Sequence, residues 1–572
     1  MGARSRIATG EFAGGWDVER PSFGPGLRHQ RDRGGLHLHE TTHATTHAQF
    51  GQREQHRHPR LGSRVVSTPL GRLAIVAHSH APWLLGHGVW PVGEEWLRQA
   101  WAHSYLPLVK LLRDRAERGE RQLLTLGITP VLAAQWDRAD SIAEQARWLA
   151  DWQTRASGKA LQARAEQNAA ARADASRQFQ LASHRLHELT THWSAGGSAA
   201  IRPLIDAGVI EVLGGPLTHP FTPHLLEPFA HLALSAGLRD HTVRLGRRPA
   251  GIWAPECAYA PGLEDIYRDH AVSHFVVDGP TLQGTKNASK GKNSRTGNLP
   301  LHRPHRIGST DVVAFARDLD LTYRVWSPRR GYPGNQWYQD FHTFDHEWGL
   351  HSSRVTSRSS SHKAPYDPQR AAAHVQRDAR DFLDRARRIM QNSTEDDPLV
   401  VVAYDTELFG HWWHEGPQFL SAIFDEAPQA DITVTTLQAE LEQAMRHPGV
   451  ELPAGTWGSG KDYRVWAEGE AGTLRDRGTA LQYAVLDYLH RQPNSWRTAR
   501  NHTADSIVTE LLLALASDWA FMITKDSAAD YARGREREHF ARVGELLRRA
   551  HHDPALVLND DRFPFLDARD VN

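Results

Sequence analysis

Cysteine is almost absent: Cys257 is the one thiol in 572 residues. A lone thiol excludes an internal disulfide framework and a cysteine-rich zinc site, and it suits a reducing compartment, so cytoplasmic residence is expected. Charge imbalance is also absent. The 67 Lys and Arg side chains offset 67 Asp and Glu, so no global field draws the chain to nucleic acid or to an anionic membrane. No apolar run reaches the roughly 18 residues of a membrane span, and no apolar signal-type segment follows Met1. Residues 1–66 have almost no apolar periodicity; ten Arg, six acids and seven His sit there among Gly, Thr and Gln. That composition predicts a disordered tail whose histidines are solvated rather than metal-ligating.

What is present begins at Arg72-Leu-Ala-Ile-Val-Ala-His78. Short β-branched or apolar runs recur at 123–128, 209–213, 251–254, 274–277, 312–316 and 399–403, separated by longer amphipathic stretches. Strands alternating with helix-length segments predict parallel βα units, and seven of them predict an α/β barrel over residues 67–425. Chemistry in such barrels sits at the carboxyl ends of the strands. His78, His80, Glu211, Glu256, Asp278, Arg317 and Asp405 are expected there. Residues 137–200 carry Ala, Gln, Arg and Leu at helical spacing and predict a helical subdomain inserted in the barrel. Residues 281–303 predict a long Gly/Asn/Ser/Lys loop of functional or mobile character. Beyond 425 the pattern is helical and predicts a helical C-terminal domain, 426–572.

The sharpest chemical signal is Trp253-Ala-Pro-Glu256-Cys-Ala-Tyr259, an apolar run ending in one carboxylate among aromatic rings. It recurs at Ala403-Tyr-Asp405-Thr-Glu407-Leu-Phe-Gly-His411-Trp-Trp. Two carboxylates that follow strands of one barrel can face one pocket, as glycosidic cleavage requires. The alternatives are a structural Glu256 paired with an arginine and an Asp405 that merely caps a helix. Glu407 competes with Asp405 as acid; Asp405 is preferred because it comes first after the strand. His78-Ser-His80 supplies two imidazoles, read as sugar-hydroxyl partners in preference to zinc ligands. Glu211-Val-Leu-Gly-Gly-Pro follows the same strand logic, with a plain turn as its alternative. The 19 tryptophans include Trp90, Trp326, Trp457 and Trp466, whose polar neighbours predict exposed loop edges that stack on flat ligands such as sugars.

Five segments in order resemble glycoside hydrolase family 57, and within it the 1,4-α-glucan branching enzymes: His78-Ser-His80-Ala-Pro, Glu211-Val-Leu-Gly-Gly-Pro, Trp253-Ala-Pro-Glu256-Cys-Ala-Tyr, Ala403-Tyr-Asp405-Thr-Glu-Leu-Phe-Gly-His411-Trp-Trp, and Ser517-Asp518-Trp519-Ala-Phe-Met. The resemblance covers about residues 70–552. It implies a (β/α)7 barrel with an inserted helical subdomain and a helical C-terminal domain, no metal and no cofactor, and a retaining mechanism on an α-1,4-glucan. Glu256 would match the nucleophile and Asp405 the general acid/base. His78, Trp90, Arg317, Trp326, Trp457 and Trp466 would match substrate-contacting positions; His80, Glu211, His411 and Asp518, inside the same motifs, complete the expected binding set. Family branching enzymes often carry a tyrosine at the tip of a mobile loop over the site, whereas residues 281–303 here hold no Tyr, Phe or Trp. The expected reaction is cleavage of the glucan and transfer to a 6-hydroxyl. Its rivals are a hydrolytic α-glucanase, a zinc-dependent glycosidase or deacetylase with His78 and His80 as ligands, and a non-catalytic glucan-binding protein.

Overall fold

The computed structural model describes residues 69–284, 299–327, 331–357, 360, 362–492, 499–553, 555–558 and 560–571. The tail 1–66 and residues 285–298 of the expected loop lie outside them. Nine strands form one sheet: β1 (Gly71–Ser79), β2 (Leu124–Ile128), β3 (Ile210–Leu213), β4 (Gly251–Ile252), β5 (His274–Asp278), β6 (His305–Arg306), β7 (Val313–Arg317), β8 (Leu399–Asp405) and β9 (Ile432–Thr435). The hydrogen-bonded path runs β3-β2-β1-β8-β7-β5-β4. A parallel bridge from Gly214 to Ile252 joins its two ends. These are the seven strands expected from the sequence, closed into a parallel barrel.

The strands read as continuous apolar runs because both faces are covered. On β1, Leu73, Ile75 and Ala77 pack outward against helices, whereas Ala74 and Val76 pack inward. The period of two therefore carries His78 and then His80 to the top of the interior. On β8 the same alternation turns Val401 and Ala403 inward and delivers Asp405 at the strand's end. His78 lies in register with Asp405, and Asp278 with Arg317.

Two short strands extend the barrel. β6 pairs antiparallel with β7, and β9 pairs in parallel with the first half of β1. β9 falls in the segment expected to be helical, so the sheet continues past residue 425. The insertion is a helical hairpin, Ala139–Ala165 and Ala169–His192, followed by Gly197–Asp206. Helices Gly469–His490, His502–Ala514, Ser517–Lys525 and Ala529–His552 make the C-terminal part. Among the described residues no helix is long and apolar enough to cross a membrane.

Candidate active site

Glu256 sits just beyond β4 in the tight turn Pro255–Cys257. Its φ is 61° and that of Cys257 is 48°, so two side-chain-bearing residues occupy the left-handed region in succession. Each costs about 1–3 kcal/mol, a strain that persists only where surrounding contacts enforce it. Those contacts are visible. The indole Nε1 of Trp457 donates to Glu256 Oε2 at 2.8 Å, the backbone N–H of Trp457 donates to the Glu256 carbonyl at 3.0 Å, and Ser517 Oγ donates to Oε1 at 2.7 Å. Among the described residues no arginine or lysine forms an ion pair with Glu256. Burial nevertheless pushes its pKa up to about 7, against the lowering influence of those two side-chain donors.

A line of imidazoles ends at that carboxylate. His78 Nε2 and His219 Nε2 are 3.2 Å apart, and His219 Nδ1 lies 2.9 Å from Ser517 Oγ. Because the Ser517 hydroxyl donates to Glu256, it must accept from His219 Nδ1–H; His219 Nε2 is then the acceptor and His78 Nε2–H the donor. The bare Nδ1 of His78 is left buried without a partner. Burial holds both imidazoles well below the usual histidine range, and the neighbouring His80 reinforces this. Both rings are thus neutral. Trp253 stacks on His78 at 4.4 Å between centroids and meets Trp457 edge-on at 5.0 Å.

His80 differs. Burial opposes its charge, but the charge and hydrogen bond of Asp518 (2.9 Å), with Glu256 and Glu407 nearby, outweigh burial and raise its pKa. Its Nδ1 lies 3.0 Å from Thr129 Oγ1. One imidazolium therefore serves several acids at once. Asp405 is raised to about 6, burial being opposed by Arg317 and His80, and Glu407 to about 8 by burial and by Asp405. The two acids are held differently. Glu407 Oε1 receives the Tyr105 hydroxyl and, at 3.4 Å, the His80 backbone N–H. Asp405 forms no capping bond to the turn behind it and has no hydrogen-bond donor among the described residues. Its carboxyl is the one free to meet a ligand.

Arg317 is tied to Asp278 at 2.8 Å, with its guanidinium 5.1 Å from the Trp457 ring. Lys461 bridges Asp278 Oδ2 at 2.8 Å and the Trp457 carbonyl at 2.9 Å, so the Trp457 loop is pinned to the barrel rim. Trp326 and Trp412 meet at 5.7 Å with their planes inclined at 60°, and His411 stacks on Trp412 while its Nε2 meets Gln99 Oε1 at 3.1 Å. Burial pushes the His411 pKa down to about 3. Trp90 stands 68 % exposed in the loop after β1.

Two expectations are corrected. Glu211 is the second residue of β3, not its carboxyl end, and lies level with Thr125 near the start of β2. It points to the barrel floor, where it meets His274 Nε2 at 2.6 Å and accepts from Thr125 Oγ1 and the Gln438 N–H at 2.9 Å each. The His274 ring crosses Gly251 so closely that a Cβ there would fall 2.1 Å from its Nε2. Trp466, expected on an exposed edge, is 1 % exposed and stacks on Phe221 at 4.8 Å. It is core. In the Glu211 motif the residue that reaches the site is His219, delivered by the turn after the glycines. Ser517, which opens the fifth segment without having been given a role, meets the site as well, as do Tyr105, Thr129 and Lys461, which no segment contained.

Among the described residues one group of donor atoms, from His80, His219 and Asp518, lies within 4.8 Å of one another. His78 is not in it. Its atoms already serve the hydrogen bonds above: His80 with Asp518, His219 with His78 and Ser517.

The chain matches the glycosyl hydrolase family 57 model over residues 74–453 and the model for the 1,4-alpha-glucan branching enzyme C-terminal region over 480–569. It is 43% identical over 528 residues to probable 1,4-alpha-glucan branching enzymes of two Mycobacterium tuberculosis strains, covering 87% of this chain and 98% of theirs. The crystal structure of a branching enzyme of this type from Pyrococcus horikoshii superposes with a TM-score of 0.76 at 27% identity, over 88% of this chain and 94% of that one. That from Thermococcus kodakaraensis gives 0.77 at 25%, over 88% and 96%. With a family model spanning most of the barrel and all five sequence segments gathered around Glu256 and Asp405 or in the barrel beneath them, the chain belongs to glycosyl hydrolase family 57.

Proposed function

We propose that the protein is a 1,4-α-glucan branching enzyme in which Glu256 is the nucleophile and Asp405 the general acid/base. The observation that carries the reading is the contrast between the two carboxyls. Glu256 has a donor on each oxygen, as a fixed carboxylate requires, whereas Asp405 has no donor among the described residues and is free to meet the departing oxygen. Glu256 attacks the anomeric carbon of an α-1,4-linked glucose and forms a carbon–oxygen bond as the C1–O4 bond breaks. Asp405 gives its proton to the departing O4. The 6-hydroxyl of an acceptor glucose then attacks the same carbon, its proton passes to Asp405, and Glu256 leaves as a carboxylate. Two inversions retain the α configuration.

The names of the relatives support transfer to a 6-hydroxyl, and a branched α-glucan such as glycogen is the product. Cys257, buried and unpaired, suits a reducing cytoplasm. A second reading, hydrolysis by the same residues, is favoured by the lack of any aromatic side chain in residues 281–303, since excluding water from the intermediate is what separates transfer from hydrolysis. Incubation with amylose decides between them. New α-1,6 signals in proton spectra that exceed released reducing ends are the expected result; reducing ends without α-1,6 signal would make the enzyme a hydrolase. Activity that survives a chelator, with no stoichiometric zinc in elemental analysis, is expected, and loss of activity on chelation would revive the metal reading.

A further inference from the structure

Beyond the two acids the chain continues into an arrangement that the catalytic account does not use. Six aromatic rings follow one another from the rim of the site toward the inserted helices: Trp326, Trp412, His411, Phe341, His351 and Phe344. Their successive centroids are 5.7, 6.0, 5.5, 6.2 and 6.0 Å apart. Each of the six residues is partly exposed, although burial holds the pKa of the His411 and His351 imidazoles below the usual range. Phe341 and Phe344 take part in none of the hydrophobic core clusters. Phe341 lies parallel to His351 and edge-on to His342 and His411, and Phe344 meets His346 and His351, so only the faces turned away from these imidazoles remain for a ligand. His411 adds a buried Nδ1 that has no hydrogen-bond partner.

The segment bearing Phe341, Phe344 and His351 has little regular structure of its own, and the inserted hairpin holds it. Trp348 Nε1 donates to Gln162 Oε1 at 2.6 Å, Gln178 Nε2 donates to the His351 carbonyl at 2.8 Å, and Arg155 donates to the Trp348 carbonyl at 2.9 Å. Gly158, inside the first helix of the hairpin, leaves room for the Trp348 ring, which a Cβ would meet at 2.1 Å. The insertion thus fixes where the rings stand.

We propose that these six rings form an extended track for an α-glucan chain on the reducing-end side of the bond that is cleaved. The proposal rests on the α-glucan reading above. The side follows from connectivity. His411 and Trp412 belong to the turn that leaves Asp405, and the acid that protonates the departing oxygen faces the leaving chain and, afterwards, the acceptor. Partly exposed indole and phenyl residues with imidazoles between them match the alternating apolar faces and hydroxyl edges of a sugar chain.

The test compares kcat/KM on amylose with kcat/KM on maltotetraose, scored as donor consumed, for the wild type, Phe341→Ala, Phe344→Ala and Phe341→Trp. The amylose-to-maltotetraose ratio should fall about three- to tenfold in each alanine variant, the range that loss of a stacked ring gives, and should be retained in Phe341→Trp. An unchanged ratio, or equal losses on both substrates, overturns the track. If the wild type makes no α-1,6 linkages but keeps the length dependence, only the branching reading falls. If it branches amylose while the alanine variants keep the ratio, only the track falls.

Discussion

The barrel buries a histidine with carboxylate at both ends, and the two ends are built on opposite principles. At the floor one glutamate, Glu211, meets one histidine, His274, and its remaining acceptor sites are filled by Thr125 and Gln438. Burial acts against its charge, but His274 and these donors prevail and hold its pKa below the usual range. At the rim one imidazolium, His80, is shared among Asp518, Glu256, Glu407 and Asp405. The compensation is incomplete, and three carboxyls there are raised to between about 6 and about 8. The floor is satisfied and contributes stability. The rim is left under-compensated, so its three carboxyls change protonation within the neutral range, where acid and base chemistry is done.

The largest break in this comparison comes from Glu256→Gln, which removes the proposed nucleophile without changing its volume. Transfer and hydrolysis should both fall by ~10³-fold or more, while the melting temperature falls only slightly, because glutamine fills the same volume but turns an amide NH2 toward one of the two donors that the carboxylate accepts. Retention of more than a tenth of kcat would remove Glu256 from its role.

At the floor the ranking inverts. Glu211→Ala leaves His274 buried without its partner, a loss of about 3–5 kcal/mol, and should lower the melting temperature by about 3–5 °C in a chain of this size. Activity per folded molecule should stay within about twofold, since the site is distant and shares no partner with Glu211. Calorimetry and kcat on the folded fraction measure the two separately.

The tryptophans sharpen the same contrast. Trp466→Ala opens a core cavity and should cost about 3–5 kcal/mol, whereas Trp457→Ala removes the Glu256 donor and should lower kcat and the ratio of new branches to released reducing ends with a smaller loss of stability. Chemical denaturation and the amylose assay on both variants would expose a reversal of that order.

The smallest effect concerns pH. Carboxyls whose folded pKa is raised bind protons more tightly in the native state than in the unfolded chain, where the value is about 4. They therefore lower stability as pH rises from about 4 through their folded values near 6, 7 and 8. Melting temperature should decline between pH 6 and pH 9, and Glu407→Gln should flatten that decline by about 1–3 °C. Activity should follow a narrow bell, its acid limb set by ionisation of Glu256 and its alkaline limb by loss of the Asp405 proton; the raised values, about 7 and about 6, lie so close that the competent pair is a minor species even at the optimum. A decline of equal slope in the variant would mean that the Glu407 pKa is not raised in the folded protein.

The strands were legible because each of the seven is a run buried on both faces, which leaves a continuous apolar signature whatever its partners. β9 was not, since its four residues carry no such run and are fixed by pairing with β1. The positions of Glu256 and Asp405 near strand ends could be read because Asp405 closes β8 and Glu256 lies in the turn just beyond β4. Glu211 was misplaced because a strand's composition does not reveal which of its residues lies at which end of the barrel. Trp466 was misread because polar neighbours in sequence say little about a ring that turns inward onto Phe221. Ser517 and His219, 298 positions apart, meet only once the C-terminal helices dock on the barrel, and no local pattern announces such a meeting. The metal-capable geometry of His80, His219 and Asp518 was hidden for the same reason; the sequence offered His78 with His80.

The central claim is the division of labour between Glu256 and Asp405, and trapping tests it most directly. A slow fluorinated α-glucosyl donor, allowed to react, quenched and digested, should leave one glycosyl mass on the peptide containing Glu256. In Asp405→Ala the same adduct should still form from a donor with a good leaving group, then persist, because no base remains to activate the acceptor. A glycosyl group found on Asp405 or Glu407, or no adduct under conditions where the donor is turned over, would contradict the account.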